Sequence, residues 1–420
     1  MGMTMAEKVL AKASGRDGVK PGEIVTGNID VVMGHDRSFY SGFKSMVECG
    51  YDKVWDPDKV VVAIDHGVPA PDVDYAERHV KMRRWVKEQG IKNFYDVGCG
   101  ICHQIVVEKG HALPGKLIVG GDSHSTTYGA VGAAGTGIGN SQIAYVLAKG
   151  SLWFMVPETI RFVLTGTLPK STSGKDVILK VAGLYSTEAA QYKSVEFGGP
   201  GMASLSISDR MTVSNMGVEI GAKFAFFEVD EKTIAYLKER TDQPIESFGP
   251  DADAQYEAAH EIDLSTLEPQ VACPHNIDNV KSVTEVGDVS VQQAFLGSCT
   301  NGRTEDLEKA AAILKGKKVH PGTRLLVIAA SHEIYTQIAR SGALQVFLDA
   351  GALIQPCSCG PCAGSKMGVL GPGETAISTT NRNFKGRMGS REAFVYLASP
   401  ETVAASALEG KITDPRKYVQ

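Results

Sequence analysis

An apolar strand, a turn rich in glycine and polar residues, and an amphipathic helix follow one another repeatedly along this chain of 420 residues. The first clear unit is the strand Val60–Ile64, the turn Asp65-His66, and a predicted helix that Asp74 caps and Gly90 ends. Strands that alternate with helices in this way form largely parallel sheets covered by helices. The sequence therefore predicts an α/β fold. Its functional side chains are expected just beyond the carboxyl ends of the strands.

The same unit recurs further along the chain. Predicted strands at Leu117–Gly121, Ala294–Gly297 and Arg324–Ala330 precede predicted helices at Ser141–Lys149, Glu305–Leu314 and Glu333–Arg340. Two of these strands run directly into reactive residue types, Asp122-Ser123-His124 and Ser298-Cys299. Because these turns follow strand ends, as Asp65-His66 does, they are expected to share one site. Breaks near Pro157 and Thr284 predict three α/β domains, residues 1–157, 158–284 and 285–420.

Composition and charge exclude several classes of protein. The formal net charge is −5, and lysines and arginines do not form a stripe, so unaided nucleic-acid binding is not expected. No apolar run approaches the roughly 20 residues that span a bilayer. The N-terminal residues lack the apolar core of a signal peptide, which predicts a cytoplasmic location, where disulfides are rare. The eight cysteines are then expected to be core residues, nucleophiles or metal ligands.

Three cysteines have the pattern of a metal centre. Cys359 and Cys362 form a C-x-x-C motif, and Cys299 lies at a predicted strand end. Soft thiolate ligands favour iron–sulfur clusters or zinc. Two alternatives remain at this point: a thioredoxin-like redox pair, and a zinc site with Cys357 or a histidine as its fourth ligand.

The remaining cysteines carry weaker signals. Cys99 and Cys102 form a second C-x-x-C motif, whose residues are more often buried in a core than reactive. Cys49 and Cys273 are expected to be packing residues.

Histidines stand close to carboxylates in the same turns. Asp65 precedes His66, Asp122 lies two residues before His124, and His103 follows Cys102. A carboxylate that accepts a hydrogen bond from one imidazole nitrogen fixes the tautomer and raises the basicity of the ring. Such pairs suit a reaction in which a departing hydroxyl must be protonated.

Two further segments suit an anionic substrate. The run from Asn381 to Arg387 holds three cations and two amides, and arginine binds carboxylates through two parallel hydrogen bonds. In Ser214–Glu219, a helical conformation would place Asn215 and Glu219 on one face.

Taken together, these motifs resemble the aconitase family over nearly the whole chain. Within that family the chain is similar to the large subunits of the isopropylmalate dehydratase and homoaconitase type. The motifs that carry the resemblance are Asp65-His66, Gly100-Ile101-Cys102-His103-Gln104, Gly121-Asp122-Ser123-His124, Ser214–Glu219, Gly297-Ser298-Cys299-Thr300-Asn301, Cys359-Gly360-Pro361-Cys362 and the run from Asn381 to Arg387.

The resemblance implies a role for each candidate residue. Cys299, Cys359 and Cys362 would hold one [4Fe-4S] cluster. The catalytic pairs would be His66 with Asp65, His103 with Asp122, and His124 with Glu219. The substrate-binding residues would be His35, Ser123, Asn215, Arg382 and Arg387.

The resemblance also implies a hydro-lyase that dehydrates and rehydrates a small 2-hydroxy diacid. Family enzymes have a swivelling last domain that supplies a serine base and a further substrate arginine. The chain stops before such a domain, which predicts a separate small subunit as partner. No membrane partner is expected, and the RNA binding of some relatives is disfavoured by the net charge of −5.

Two features depart from the family pattern. The first is Cys99 and Cys357, which are additions to it. The second is the turn after His35, which reads Arg37-Ser38-Phe39-Tyr40-Ser41-Gly42 where relatives usually have a threonine. In the turn after His35, Phe39 and Tyr40 predict an apolar wall for an alkyl-substituted malate such as isopropylmalate, dimethylmalate or citramalate. An inward-facing Arg37 would instead favour a homocitrate-like triacid.

Overall fold

The computed structural model describes residues 2–364 and 367–419, which form a mixed α/β protein. Its α-helices are Met5–Ser14 (α1), Ser38–Glu48 (α2), Val73–Gln89 (α3), Cys102–Glu108 (α4), Asn140–Lys149 (α5), Gly174–Tyr185 (α6), Ile207–Met216 (α7), Glu231–Lys238 (α8), Ser298–Asn301 (α9), Thr304–Leu314 (α10), His332–Ser341 (α11), Ala343–Ala350 (α12) and Pro400–Glu409 (α13). Its strands are Ile24–Asn28 (β1), Val31–His35 (β2), Val60–Ala63 (β3), Asn93–Tyr95 (β4), Leu117–Gly120 (β5), Ala134–Gly137 (β6), Ser151–Met155 (β7), Thr159–Thr165 (β8), Ser194–Gly198 (β9), Phe224–Phe227 (β10), Ala258–Asp263 (β11), Gln270–Ala272 (β12), Val280–Ser282 (β13), Gln293–Leu296 (β14), Arg324–Val327 (β15), Leu353–Ile354 (β16), Thr375–Ser378 (β17) and Phe394–Ala398 (β18).

The strands form three principal sheets and one ribbon. The first sheet has the order β4-β3-β2-β5-β6 and the second β10-β9-β8-β11, and every neighbouring pair in both is parallel. The third has the order β13-β12-β18-β17-β14-β15-β16, antiparallel only where β12 meets β13 and β18. Strands β1 and β7 form an antiparallel ribbon. The predicted α/β fold with largely parallel sheets is confirmed.

Apolar runs explain why these strands are central. All four residues of β3 and of β5 are buried, as expected for parallel strands covered on both faces by helices. Two separate apolar cores lie on opposite faces of the first sheet, and two lie on opposite faces of the third. The sheets therefore bring distant segments of sequence to common strand ends.

Element boundaries differ slightly from the sequence prediction. Helix α3 is capped by Asp72, whose side chain accepts a hydrogen bond from the Tyr75 amide, and not by Asp74. Gly139, and not Asn140, is the N-cap of α5. Strand β14 ends at Leu296 because Gly297 has φ 147°, and a Cβ there would lie 2.6 Å from the Ile328 carbonyl oxygen.

The sheets occupy successive parts of the chain. Residues 31–137 form the first sheet, residues 159–263 the second, and residues 270–398 the third. The third sheet thus takes in β12 and β13, which precede residue 285. The division into three domains stays a prediction. Among the described residues, no helix is both long and apolar enough to cross a membrane.

The third sheet's outer core depends on helix α12. Phe347 is fully buried there, whereas its neighbour Leu348 is 51% exposed. Replacing Phe347 by Ala leaves a cavity and should lower the free energy of unfolding by about 3–5 kcal/mol. Leu348→Ala should lower it by less than about 1 kcal/mol. Urea unfolding followed by far-UV circular dichroism measures both, and equal effects would contradict this packing.

Candidate active site

Asp65 links the first sheet to the segment that carries two of the cysteines. It follows β3, and its Oδ1 lies 2.6 Å from His66 Nδ1. Its Oδ2 accepts a hydrogen bond from the Cys102 amide at 2.8 Å, and its main-chain oxygen accepts one from the Cys359 amide at 3.0 Å. One residue therefore positions an imidazole, the start of α4 and the cysteine loop.

His66 and His35 form a stacked pair with opposite protonation tendencies. Their ring centroids are 4.0 Å apart, and the planes differ by 16°. Burial opposes charge on His66, but Asp65 outweighs it and raises the His66 pKa to about 9. Burial, together with charged His66, lowers the pKa of His35 to about 4. Near neutral pH the pair therefore carries a single positive charge, which lies on His66.

Asp122 connects the other two histidines. Its Oδ1 lies 2.9 Å from His103 Nε2, and it also accepts the His124 main-chain amide at 2.9 Å. His124 Nδ1 is 3.3 Å from the same oxygen. Despite burial, these imidazoles lower the Asp122 pKa well below its usual range. The oxygen Oδ2 of Asp122 lies 3.8 Å from His35 and from His66, so the predicted pairs form one network.

Glu219 joins this network to an arginine. Its Oε1 lies 2.7 Å from His124 Nε2 and accepts a hydrogen bond from Arg382 Nε at 2.7 Å. Arg382 Nη2 donates to Ser123 Oγ at 2.9 Å. The guanidinium is thus oriented by two neighbouring side chains.

The prediction that Asn215 and Glu219 lie on one helix face is wrong. Helix α7 ends at Met216, and Glu219 lies in the following 3₁₀ turn, Gly217–Ile220. The change of winding separates their directions: Asn215 faces the cysteines and Glu219 the histidines.

The predicted cysteine ligands are buried and surrounded by polar hydrogens. Asn215 Nδ2 lies 3.3 Å from Cys299 Sγ, and Arg387 Nη2 lies 3.6 Å from Cys362 Sγ. Cys359 Sγ is 3.9 Å from His66 Nδ1. Asn381 lies 3.6 Å from Cys299 Sγ and 3.5 Å from Cys362 Sγ, and Thr127 links Asn215 to His124. With these two residues, all the residues predicted for the site belong to one connected set of contacts.

The donor set suits a metal centre. Burial and the neighbouring Cys362 raise the Cys299 pKa to about 12, and burial with nearby acidic groups raises that of Cys359 well above its usual range. Converged buried thiols ionise when a metal compensates their charge. The attacking cysteine of a dithiol oxidoreductase has a lowered pKa, so these surroundings do not favour redox exchange.

Sequence reasoning assigned no role to Asp36, which is fully buried beside the stacked histidines. Its carboxylate accepts the main-chain amides of His66 at 3.0 Å and Gly67 at 2.7 Å. Although burial opposes it, His79 and His66 lower the Asp36 pKa well below its usual range. Its place directly after His35 was the available signal.

Asn381 and Arg303 were also missed. Asn381 Nδ2 donates to Asn215 Oδ1 at 3.1 Å and lies 3.6 Å from Cys299 Sγ. Arg303 Nη2 donates to the Cys299 main-chain oxygen at 2.7 Å. Asn381 stands beside Arg382 in sequence, and Arg303 follows the Cys299 turn, but neither position reveals the contact.

The predicted apolar wall after His35 is wrong. Phe39 belongs to the core of the first sheet and stacks on Phe43, and Tyr40 stacks on Trp85. Arg37 Nε donates to the Tyr75 hydroxyl at 3.1 Å. These side chains follow helix α2, whose apolar face turns toward the sheet.

A different apolar wall borders His66. A cavity of about 290 Å³ opens beside this imidazole. Its other lining residues are Gly67, Val68, Pro69, Pro71, Gly360 and Met367.

The additional cysteines lie around the site. Cys102 is fully buried at the start of α4, where its amide holds Asp65. Cys357 is buried next to the cysteine loop, and Cys99 is half-buried. Cys273 is buried and Cys49 exposed.

Comparison with known proteins identifies the class to which this fold and site belong. The family model for aconitases (aconitate hydratase) matches residues 7–287 and 280–410. The chain belongs to the aconitase family, as its motifs predicted. Enzymes of this family carry an iron–sulfur cluster, for which buried cysteines are present here.

The similar curated proteins narrow the class. The chain is 52% identical to the probable 3-isopropylmalate dehydratase large subunit of Methanothermobacter thermautotrophicus, over 99% of each chain. It is 52% identical to 3-isopropylmalate dehydratase large subunit 1 of Methanopyrus kandleri, over 100% of each. The large subunit from Acetivibrio thermocellus is 45% identical over 99% of each.

A solved structure has the same overall fold. It is the holo-form of Thermococcus kodakaraensis aconitase X, with a TM-score of 0.50 and 11% identity. The match covers 92% of this chain and 94% of that one.

The role of Asp36 in holding the His66 loop is testable without an activity assay. Asp36→Asn replaces one acceptor oxygen by a donor, so it removes one of the two hydrogen bonds and the charge that strengthens the other. Amide hydrogen exchange at His66 and Gly67 should accelerate at least about tenfold, measured by mass spectrometry. Asp74→Asn, at an exposed carboxylate, is the matched control. Unchanged exchange in Asp36→Asn would show that the loop is held by other contacts.

Proposed function

We propose that this chain is the large subunit of an iron–sulfur hydro-lyase that isomerises 3-isopropylmalate by removing and returning water. One observation carries the proposal: the three buried thiols and the histidine–carboxylate network meet at contacts such as Cys359 Sγ to His66 Nδ1. The alignment with relatives named 3-isopropylmalate dehydratase large subunits over 99% to 100% of the chain supports the same conclusion.

Cys299, Cys359 and Cys362 are the residues that would hold one [4Fe-4S] cluster. Asn215 and Arg387 place N–H groups next to two of their sulfurs, which favours the thiolate form. With three protein ligands, such a cluster supplies one open iron that acts as a Lewis acid toward a substrate hydroxyl and carboxylate.

The histidine network would handle the proton that leaves with the hydroxyl. His66 is held in its protonated form by Asp65 and is the proposed donor, so that the hydroxyl departs as water. His103 and His124 are fixed by Asp122 and Glu219, and we assign them the orientation of the hydroxyl and the adjoining water.

Arginines would bind the substrate carboxylates. Arg382 is oriented by Glu219 and Ser123 and can turn its remaining N–H groups toward a carboxylate. Arg387 has a buried Nε without a hydrogen-bond partner among the described residues, so it retains a donor for a second carboxylate. His35 completes the polar lining beside His66.

A proton must also leave the substrate carbon next to the second carboxylate. We assign this step to a serine of a separate small subunit with the swivel fold. Ser123 is unsuited to this step, because its hydroxyl oxygen accepts a hydrogen bond from the Arg382 guanidinium. We assign Ser123 to substrate binding.

The cavity beside His66 favours an alkyl-substituted malate. Pro69 and Pro71 are exposed there and offer apolar carbon, and the described lining residues include no lysine or arginine for a third carboxylate. We therefore propose 3-isopropylmalate as substrate, ahead of dimethylmalate and citramalate, and disfavour homocitrate-like triacids.

The cluster assignment is tested by metal analysis of anaerobically purified protein. The chain should bind close to four irons, because three thiolates can hold a four-iron cluster, and should show its brown absorbance. Cys299→Ser should abolish the cluster, whereas Cys49→Ser, at an exposed position, should retain it. Colourless protein with one zinc per chain would contradict the assignment.

Substrate and partner are tested by reconstitution. The cluster-loaded chain alone should be nearly inactive, and activity on isopropylmalate should appear when the small subunit from the same genome is added. Met367→Ala should lower kcat/KM for isopropylmalate by roughly tenfold, and less for citramalate, because it removes apolar contact with the alkyl group.

Met155→Ala, at an exposed residue of β7, is the matched control for Met367→Ala. Substantial turnover without the small subunit would show that the base lies in this chain. A higher kcat/KM for homocitrate than for isopropylmalate would reject the proposed substrate.

A further inference from the structure

Lys175 is a fully buried lysine directly behind the cysteine site. It lies in the first turn of α6, and its Nζ donates to the main-chain oxygens of Thr379 at 2.8 Å and Thr380 at 2.7 Å. In residues 2–364 and 367–419 it forms no ion pair with a carboxylate. Burial lowers its pKa to about 7, while nearby Cys299 and other acidic groups oppose that shift. A buried ammonium without a carboxylate partner is costly and needs an explanation.

The two carbonyls lead directly to the cysteine site. Thr379 Oγ1 accepts the Gly297 amide at 2.9 Å and donates to the Gly297 oxygen at 3.0 Å, which ties this segment to the Cys299 turn. Asn381 follows two residues after Thr379. Its Nδ2 lies 3.6 Å from Cys299 Sγ, and its Oδ1 lies 3.5 Å from Cys362 Sγ. Lys175 therefore lies one layer behind the amide that touches two of the sulfurs.

Neighbouring carboxylates are engaged elsewhere. Asp176 accepts the amides of Gln270 and Ser173, and Asp306 accepts those of Arg303 and the Asn301 side chain. Burial raises the pKa of both carboxyls to about 6, so both still carry charge near neutral pH, but neither forms an ion pair with Lys175. Of the acidic groups that act on the Lys175 ammonium, Cys299 acts most strongly, ahead of Asp306, Cys362 and Asp176.

The hydrogen bonds alone do not require a charge. A neutral amide side chain could also donate to the Thr379 and Thr380 oxygens. What a lysine adds is a positive charge in a region from which water is excluded, where charges interact over several ångströms with little screening. Reduction of a thiolate-bound cluster adds negative charge, which a nearby cation favours, whereas oxidation removes it.

We propose that Lys175 is a positioning residue whose buried ammonium compensates the thiolate charge of the cluster and thereby raises its reduction potential and its resistance to oxidation. This inference rests on the cluster proposed above. Arg303, on the main-chain side of Cys299, and Arg387, beside Cys362, add two further cations, so Lys175 sets part of the potential and not the whole.

The test compares two neutral variants of the cluster-loaded chain, Lys175→Gln and Lys175→Met. Reductive titration with dithionite, followed by electron paramagnetic resonance, should give a more negative midpoint potential for both. Loss of iron in air should be about three- to tenfold faster, because a buried positive charge no longer disfavours oxidation. Lys175→Gln retains a donor for the two carbonyls, and it separates charge from hydrogen bonding.

Lys223→Gln is the matched control. Lys223 is half-buried and its Nζ lies over the rings of Phe154 and Tyr192, and burial alone lowers its pKa to about 8. This substitution should leave the midpoint potential and the rate of iron loss unchanged. Lys175→Arg keeps the charge and should restore the wild-type potential.

The outcomes separate the two proposals. Wild-type protein without iron would reject the cluster itself. A cluster with the wild-type potential and air sensitivity in Lys175→Gln would show that Lys175 only ties α6 to the Thr379 segment. If both neutral variants fail to fold, the midpoint potentials of wild type and Lys175→Arg are compared across pH. A fall in the wild-type potential as Lys175 loses its proton, absent in Lys175→Arg, supports the inference, and the same pH dependence in both contradicts it.

Discussion

The hydrogen bond from the Cys359 amide to the Asp65 main-chain oxygen is the contact on which the rest of the site depends. It joins the end of β3 in the first sheet to the cysteine loop of the third. Because the same residue holds His66 through its side chain, the distance between the imidazole and Cys359 is set locally. Chemistry that needs a proton donor beside a metal-bound group requires such a short connection.

Buried charge is balanced pairwise throughout this region. Asp122 is held between two histidines, Glu219 between His124 and Arg382, and Asp36 by main-chain amides and His79. A buried charge without such partners would cost several kcal/mol. Lys175 fits the same pattern only together with the cysteines, whose proposed cluster would supply the negative charge that balances it.

Local sequence signals predicted much of the site. Asp65-His66 and Asp122-Ser123-His124 follow apolar strands, and parallel strands deliver their carboxyl ends to one edge. The error at Phe39 and Tyr40 has a physical cause: both residues lie on the apolar face of α2, and burial against Phe43 and Trp85 outweighs exposure in a cleft. The cavity wall came instead from the loop after His66, where Val68 and the prolines gave no periodic signal.

The sequence by itself determined the fold class and the family, and it predicted the residues that would bind a cluster and move protons, because strand–turn–helix periodicity and reactive side chains are local properties. Only the tertiary structure decided that Asp122 serves two histidines, that Asp36 holds the His66 loop, and that Lys175 lies behind Cys299. These contacts join segments distant along the chain, and their energy depends on burial and on distances that arise when the three sheets pack together.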